Sequence, residues 1–184
     1  MNDWLWNVTR STGIVATVLM LASLAWGFLF SSRETGTRLR PAWWLDMHKG
    51  LGGLALVFTG LHIVAAFADS DLGVGLATVF VPGAAQSDTT AFTWGVVAFY
   101  GLVIVVFTSW PKMLFRRRTW RAVHLLSVPA TAVACIHAYQ LGSDAHTPAF
   151  SVLAPLAVGG AVYPLGVRLW SLALSHSQET PRQS

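Results

Sequence analysis

Charge is what this chain has least of: Asp, Glu, Lys and Arg make up 11% of its 184 residues, against about 25% in an ordinary soluble domain. Hydrophobic residues reach 54% and the mean hydropathy is +0.55, which excludes a soluble globular fold. Cysteine occurs once, as Cys135 inside an apolar run, so neither a disulfide framework nor a cysteine-built metal site is available. A cleavable basic leader is not expected either. The opening "MNDWLWNVTR" carries one basic residue and the stronger basic cluster follows the first apolar run, so that run is expected to be retained as a span. The pI near 9.8 is no sign of nucleic-acid binding, because the positive charge is confined to particular loops.

Long apolar runs are what the chain does have, several near or above the roughly 18 residues that cross a bilayer. The reading is an all-α polytopic membrane protein, a single domain over 1–184. Its five transmembrane helices are placed at 11–31, 43–67, 91–110, 119–140 and 148–172, and a polar tail without structure at 173–184. Polar breakers separate the spans: "SSRETGTRLRP", "ADSDLGVG", "WPKMLFRRRT" and "LGSDAHTP". The stretch 72–84 is too short to cross and is expected at the outer surface.

Orientation follows from the basic residues. Arg33, Arg38, Arg40, Lys49, Lys112, Arg116, Arg117, Arg118, Arg121, Arg168 and Arg182 fall on one side, leaving Arg10 opposite with Asp3, Asp69, Asp71, Asp88 and Asp144. The positive-inside rule then places the N-terminus outside and the C-terminus in the cytoplasm. Trp4, Trp6, Trp43, Trp44, Trp110, Trp120 and Trp170 fall near span ends, as an interfacial aromatic belt requires.

Four histidines lie inside these spans, where an ionisable residue usually marks a site. His48 and His62 are fourteen residues apart on the second span, and His124 and His137 thirteen apart on the fourth. The second and fourth spans run in the same direction, so His48 and His124 share an inner depth and His62 and His137 an outer one. The levels are about 20 Å apart at 1.5 Å per residue. One imidazole from each span at each level is what bis-histidine haem ligation requires, with no open position on the iron. Zinc suits the pattern less well, because each level supplies two nitrogens where zinc wants about four ligands. A lone histidine in a span also serves to hydrogen-bond a neighbouring helix; four at matched depths are poorly explained that way. Phase fits on one helix only: fourteen residues leave about 40° between His48 and His62, whereas thirteen leave about 140° between His124 and His137. Pro129 lies between the latter two and can distort the helix locally.

Around these four, Gly13 and Gly27 on the first span are also fourteen apart, and Gly50, Gly52, Gly53 and Gly60 crowd the second. Such glycines give either clearance for a porphyrin edge or close helix packing. Propionates need cations, offered by Arg10 on the outer side and by Lys49, Arg40 and Arg121 near the inner level; Arg10 also reads as an interfacial anchor. Met47 is redundant beside the histidines, and His146 and His176 are read as solvated.

The stretches "VTRSTG", "LDMHKGLGGLALVFTGLHIV" and "WRAVHLLSVPATAVACIHAYQLGSD" resemble the ferric reductase-like transmembrane family, the membrane part of ferric reductases, NADPH oxidases and a methionine sulfoxide reductase system, over most of 5–145. The resemblance implies a cytochrome b with two haem b groups in a four-helix bundle: His48 and His124 on the inner iron, His62 and His137 on the outer, and Arg10 near the outer haem. Two departures from the family are expected: no C-terminal flavin and nicotinamide domain, since about a dozen residues follow the last span, and no counterpart of the extra N-terminal span of the six-helix oxidases. Flavin or quinone is therefore expected only through a partner. The expected role is an oxidoreductase subunit in a bacterial plasma membrane, carrying electrons from a cytoplasmic flavoprotein or quinol to an extracytoplasmic acceptor. The rival reading is a non-catalytic membrane partner or a haem-handling protein. The Arg116–Arg118 run reads either as a topology signal or as a dock for an acidic donor.

Overall fold

The computed structural model describes residues 3–32, 41–109, 116–145 and 147–178. Arg33, Arg38, Arg40, Trp110, Lys112, His146 and Arg182, all used above, lie outside the described residues. Among the described residues the secondary structure is helical throughout, without strands. In chain order the helices are α1 (Asp3–Ser32), α2 (Pro41–Ala68), α3 (Leu76–Phe80), α4 (Thr89–Ser109), α5 (Arg117–His124), α6 (Ser127–Leu141) and α7 (Pro148–Gln178). Among the described residues five stretches are long and apolar enough to cross a membrane: 4–30, 42–68, 89–109, 117–141 and 148–167.

Helix is the expected state here because hydrocarbon offers no partner to an open backbone amide or carbonyl. That is why α2 stays helical through Gly50, Gly52, Gly53 and Gly60, residues that weaken a helix in water. Pro41 and Pro148 stand at first helical positions, where a missing N–H costs nothing. Gly142 ends α6, its N–H donating to the Ala138 carbonyl at 2.9 Å.

Three boundaries depart from expectation. α1 begins at Asp3 rather than 11, so Thr9 and Arg10 belong to the helix. α7 runs on to Gln178, through the first half of the tail expected to be without structure. Most consequential, the fourth span is two helices joined by a turn at Leu125 and Leu126. Proline is the cause: Pro129 has no N–H to give the Leu125 carbonyl. That carbonyl accepts from Val128 at 3.1 Å instead, while the Leu126 N–H reaches Val123 at 3.0 Å, so the chain winds locally with three-residue bonds.

α1 packs along α2, α4 packs along α6 and α5, and α1 also meets α6 and α7. α2 approaches α4 less closely, and α2 and α6 are not a tightly packed pair. The four spans therefore form a bundle with α2 facing α6 across it, and α7 stands outside against α1. Midway along the bundle, Met20, Ala55, Ala98, Leu102 and Ala134 form a buried apolar layer. Gly101 lets α4 and α6 approach, since a Cβ there would come within 2.7 Å of the Ala130 Cβ. The 72–84 stretch forms no span: α3 lies against α4, with the Tyr100 hydroxyl donating to the Phe80 carbonyl at 2.7 Å.

Candidate functional site

The bundle brings the four span histidines together in two pairs. The His48 and His124 rings have centroids 5.7 Å apart with planes crossed at 68°. The His62 and His137 rings are 6.2 Å apart and crossed at 85°.

What holds each imidazole decides what it can do. His62 Nδ1 donates to the Thr9 carbonyl at 2.7 Å, His137 Nδ1 to the Ala91 carbonyl at 2.8 Å, and His48 Nδ1 to the Ser23 carbonyl at 3.0 Å. A carbonyl only accepts, so these three rings carry their proton on Nδ1 and leave the Nε2 lone pair bare. His124 reaches the same state by another route. Its Nδ1 lies 3.1 Å from the Ser109 hydroxyl, which gives its own proton to the Val105 carbonyl at 2.7 Å. Trp120 stacks on His124 at 5.0 Å and 21°.

On α1 and α2 the two sockets are one device used twice. A carbonyl at Thr9 or Ser23 takes the Nδ1 proton, and a glycine four residues on, Gly13 or Gly27, makes room for the ring. A Cβ at Gly13 would meet His62 Nδ1 at 2.9 Å, and one at Gly27 would meet His48 Cε1 at 3.1 Å. The copies are fourteen residues apart, close to four helical turns, so they share a face of α1. On α4 the device appears once: the Ala91 carbonyl holds His137, and Gly95 clears it, a Cβ there lying 2.7 Å from His137 Cε1. Fourteen residues beyond Ala91 is Val105, and the Ser109 hydroxyl stands between that carbonyl and His124. The Ser109 hydroxyl carries the contact from the Val105 carbonyl to the ring, and the turn at Leu125–Leu126 interrupts the helix between His124 and His137.

The remaining expected site residues are placed as follows. Gly13 and Gly27 stand one at each level, and the atoms a Cβ would meet there belong to the His62 and His48 imidazoles. At Gly52 a Cβ would meet only the Ser23 hydroxyl, at 3.7 Å, and at Gly50, Gly53 and Gly60 it would meet nothing within 4 Å. Lys49 and Arg121 are exposed. Arg10 lies beside Thr9, but its guanidinium is engaged: Nε donates to Asp144 Oδ2 at 2.6 Å and Nη2 pairs with Oδ1. This bidentate pair joins α1 to the loop after α6, at the end of the bundle that holds His62 and His137.

Sequence reasoning missed Thr9, Ser23, Ala91, Gly95 and Ser109. The signal was present, since Thr9 and Ser23, and Gly95 and Ser109, repeat the fourteen-residue interval of His48 and His62.

The donor set can be tested against a metal group. Among the described residues no cluster of three or more His, Cys, Asp or Glu side chains is placed to hold an ion, so each level offers two nitrogens and no more. That suits an iron whose other ligands come from a macrocycle. Two metal–imidazole bonds of about 2 Å in line imply ring centres roughly 6 Å apart, and both pairs lie close to that. A metal-binding histidine usually ties its other ring nitrogen to an acceptor in this way, which fixes the ring and its tautomer. The residues fit haem.

A family model for the ferric reductase like transmembrane component matches residues 12–135. His48, His62 and His124 lie inside that span, while Arg10 and His137 stand two residues beyond its ends. No curated protein and no solved structure matches the chain. With two thirds of its length matched and five spans in its fold, the chain belongs to the ferric reductase-like transmembrane family and is a multi-pass membrane component of the electron-transfer kind.

Proposed function

We propose that the protein is a di-haem b-type cytochrome that passes electrons across a bacterial plasma membrane. The observation that carries this reading is the pair of facing imidazoles at each of two levels, with Nδ1 hydrogen-bonded and Nε2 free. Bound there, each haem would supply one-electron redox chemistry. His48 and His124 are the ligands at one level, His62 and His137 at the other. The residues of the chain do the rest: carbonyls and Ser109 fix the tautomers, glycines fix the ring positions, and the central apolar layer keeps water out between the levels.

The distribution of basic residues supports an external N-terminus, which puts His62–His137 at the outer face and His48–His124 at the cytoplasmic face. A cytoplasmic flavoprotein or a quinol is then oxidised at the inner level and an extracytoplasmic acceptor reduced at the outer one. Flavin or quinone belongs to the partner, and this chain is an oxidoreductase subunit.

The test is a reduced-minus-oxidised spectrum and a haem assay on the purified protein. A low-spin b-type band with about two haems per chain is expected; one haem or none overturns the reading in favour of a haem-handling or bracing role. His62→Ala and His137→Ala should lose the same haem and spare the other. If His62→Ala removes the haem that His124→Ala removes, the pairing is wrong.

A further inference from the structure

Among the described residues, two buried side-chain donors have no partner: the Thr9 hydroxyl and the Trp44 indole N–H. Both side chains are more than nine-tenths buried, Thr9 at 6% exposure and Trp44 at 9%. A buried polar group left bare is uncommon and calls for a cause such as a bound group or a water.

Their surroundings make both cases pointed. Thr12, Thr17, Thr59, Thr93, Thr108 and Thr131 each return the hydroxyl to the carbonyl four residues earlier, the ordinary habit of threonine in a helix. Thr9 does not. Trp26, tilted against Trp44 at 4.5 Å, donates its indole N–H to the Trp44 carbonyl at 3.2 Å. The Trp44 N–H has no such acceptor.

Position adds the decisive observation, because each bare donor stands beside one histidine pair. Trp44 precedes His48 by four residues and so shares its face of α2, one turn nearer the end of the bundle. Thr9 holds His62 through its carbonyl and shares a face of α1 with Gly13, which clears the same ring. Arg10, the cation at that end, is committed to Asp144 by two bonds.

We propose that the Trp44 indole N–H and the Thr9 hydroxyl each donate to a carboxylate on the edge of the group held by the neighbouring histidine pair, Trp44 at the His48–His124 level and Thr9 at the His62–His137 level. The inference rests on the two-haem reading, since the propionates of haem b are the carboxylates in question. Neutral donors suit this place: a hydrogen bond to a carboxylate is charge-assisted, and a neutral donor brings no second ion into the hydrocarbon. The bond leaves iron ligation untouched and acts on how firmly, and in which orientation, each macrocycle sits.

The test follows haem release from the purified holoprotein to a haem scavenger, with resonance Raman of the propionate bending bands as a second readout. Trp44→Phe should speed release of the haem that His48→Ala abolishes by about tenfold, the loss of one charge-assisted bond, and should shift its propionate band. Thr9→Val, which keeps the backbone carbonyl under His62, should do the same to the haem that His62→Ala abolishes. Thr9→Ser should restore wild-type behaviour. If Trp44→Phe does not fold, the Thr9→Val and Thr9→Ser pair decides alone. Wild-type release rates and bands in both variants would show that waters satisfy these donors and would overturn the proposal, as would acceleration of the same haem by both. A wild-type protein without haem would instead remove the reading on which the proposal rests.

Discussion

The two halves of the bundle present their histidines differently. On the α1–α2 side, both imidazoles sit in the same socket, a carbonyl and a glycine four residues later, repeated fourteen residues along α1. On the α4–α6 side one socket keeps that form, at Ala91 and Gly95, and the other is rebuilt with the Ser109 hydroxyl and the flat face of Trp120. The cause is one residue of spacing. Where histidines are fourteen apart, a regular helix delivers both to the same face; where they are thirteen apart, the helix is broken near Pro129 and a side chain carries the contact from backbone to ring. Backbone-held rings also respond to mutation differently from hydroxyl-held ones. A carbonyl survives any substitution of its own side chain, so its socket fails only when it is overfilled, whereas a hydroxyl socket fails by deletion.

The largest expected effect is overfilling. Gly95→Ala places a methyl 2.7 Å from His137 Cε1, and such overpacking costs about 1–3 kcal/mol; a pyridine haemochrome assay should show the His62–His137 haem lost and the other retained. Next is deletion on the rebuilt side. Ser109→Ala removes the acceptor of the His124 Nδ1 proton, a second-shell loss that weakens metal sites about 10–100-fold, read as faster release of the His48–His124 haem. Gly27→Ala is milder, because the methyl would sit at 3.1 Å from His48 and the ring can yield slightly; about 1 kcal/mol of weakened haem binding is expected, visible in a titration of apoprotein with haem.

The seam between the halves should matter less. Asp144→Ala frees Arg10 from a pair whose side chains are 38% and 27% exposed, so a change of about 1 kcal/mol or less in unfolding stability is expected, with both haems present. The smallest effect belongs to Ser23→Ala. It removes a hydroxyl 3.3 Å from His48 Nδ1 but leaves the Ser23 carbonyl at 3.0 Å, so haem affinity should move by at most about 0.5 kcal/mol. If Ser23→Ala proved as harmful as Ser109→Ala, the contrast between carbonyl and hydroxyl sockets would be lost.

The five spans and the partnering of His48 with His124 and His62 with His137 were legible in the sequence, because both depend only on run length, span direction and a constant rise per residue. Gly13 and Gly27 were legible as a pair, but the imidazoles they face were not, because nothing in composition says which side chain a glycine makes room for. Thr9, Ser23 and Ala91 act through carbonyls, which every residue possesses, so residue type gives no hint of their part. Ser109 was hidden for another reason. Its role exists only because His124 falls one residue short of the register, and the size of that offset depends on how Pro129 bends the chain. Arg10 shows the limit of charge counting, since the acidic partner that engages it is 134 residues away in sequence.

The apolar layer of Met20, Ala55, Ala98, Leu102 and Ala134 contains no group that binds or releases a proton. An electron crossing it in the proposed cytochrome would therefore travel without compensating charge and feel the transmembrane voltage, which is worth about 2.3 kcal/mol per elementary charge for each 100 mV across the full membrane. A potential negative inside favours electrons leaving the cytoplasm and opposes their return. Five apolar side chains would in this way make membrane polarisation a bias on the direction of current.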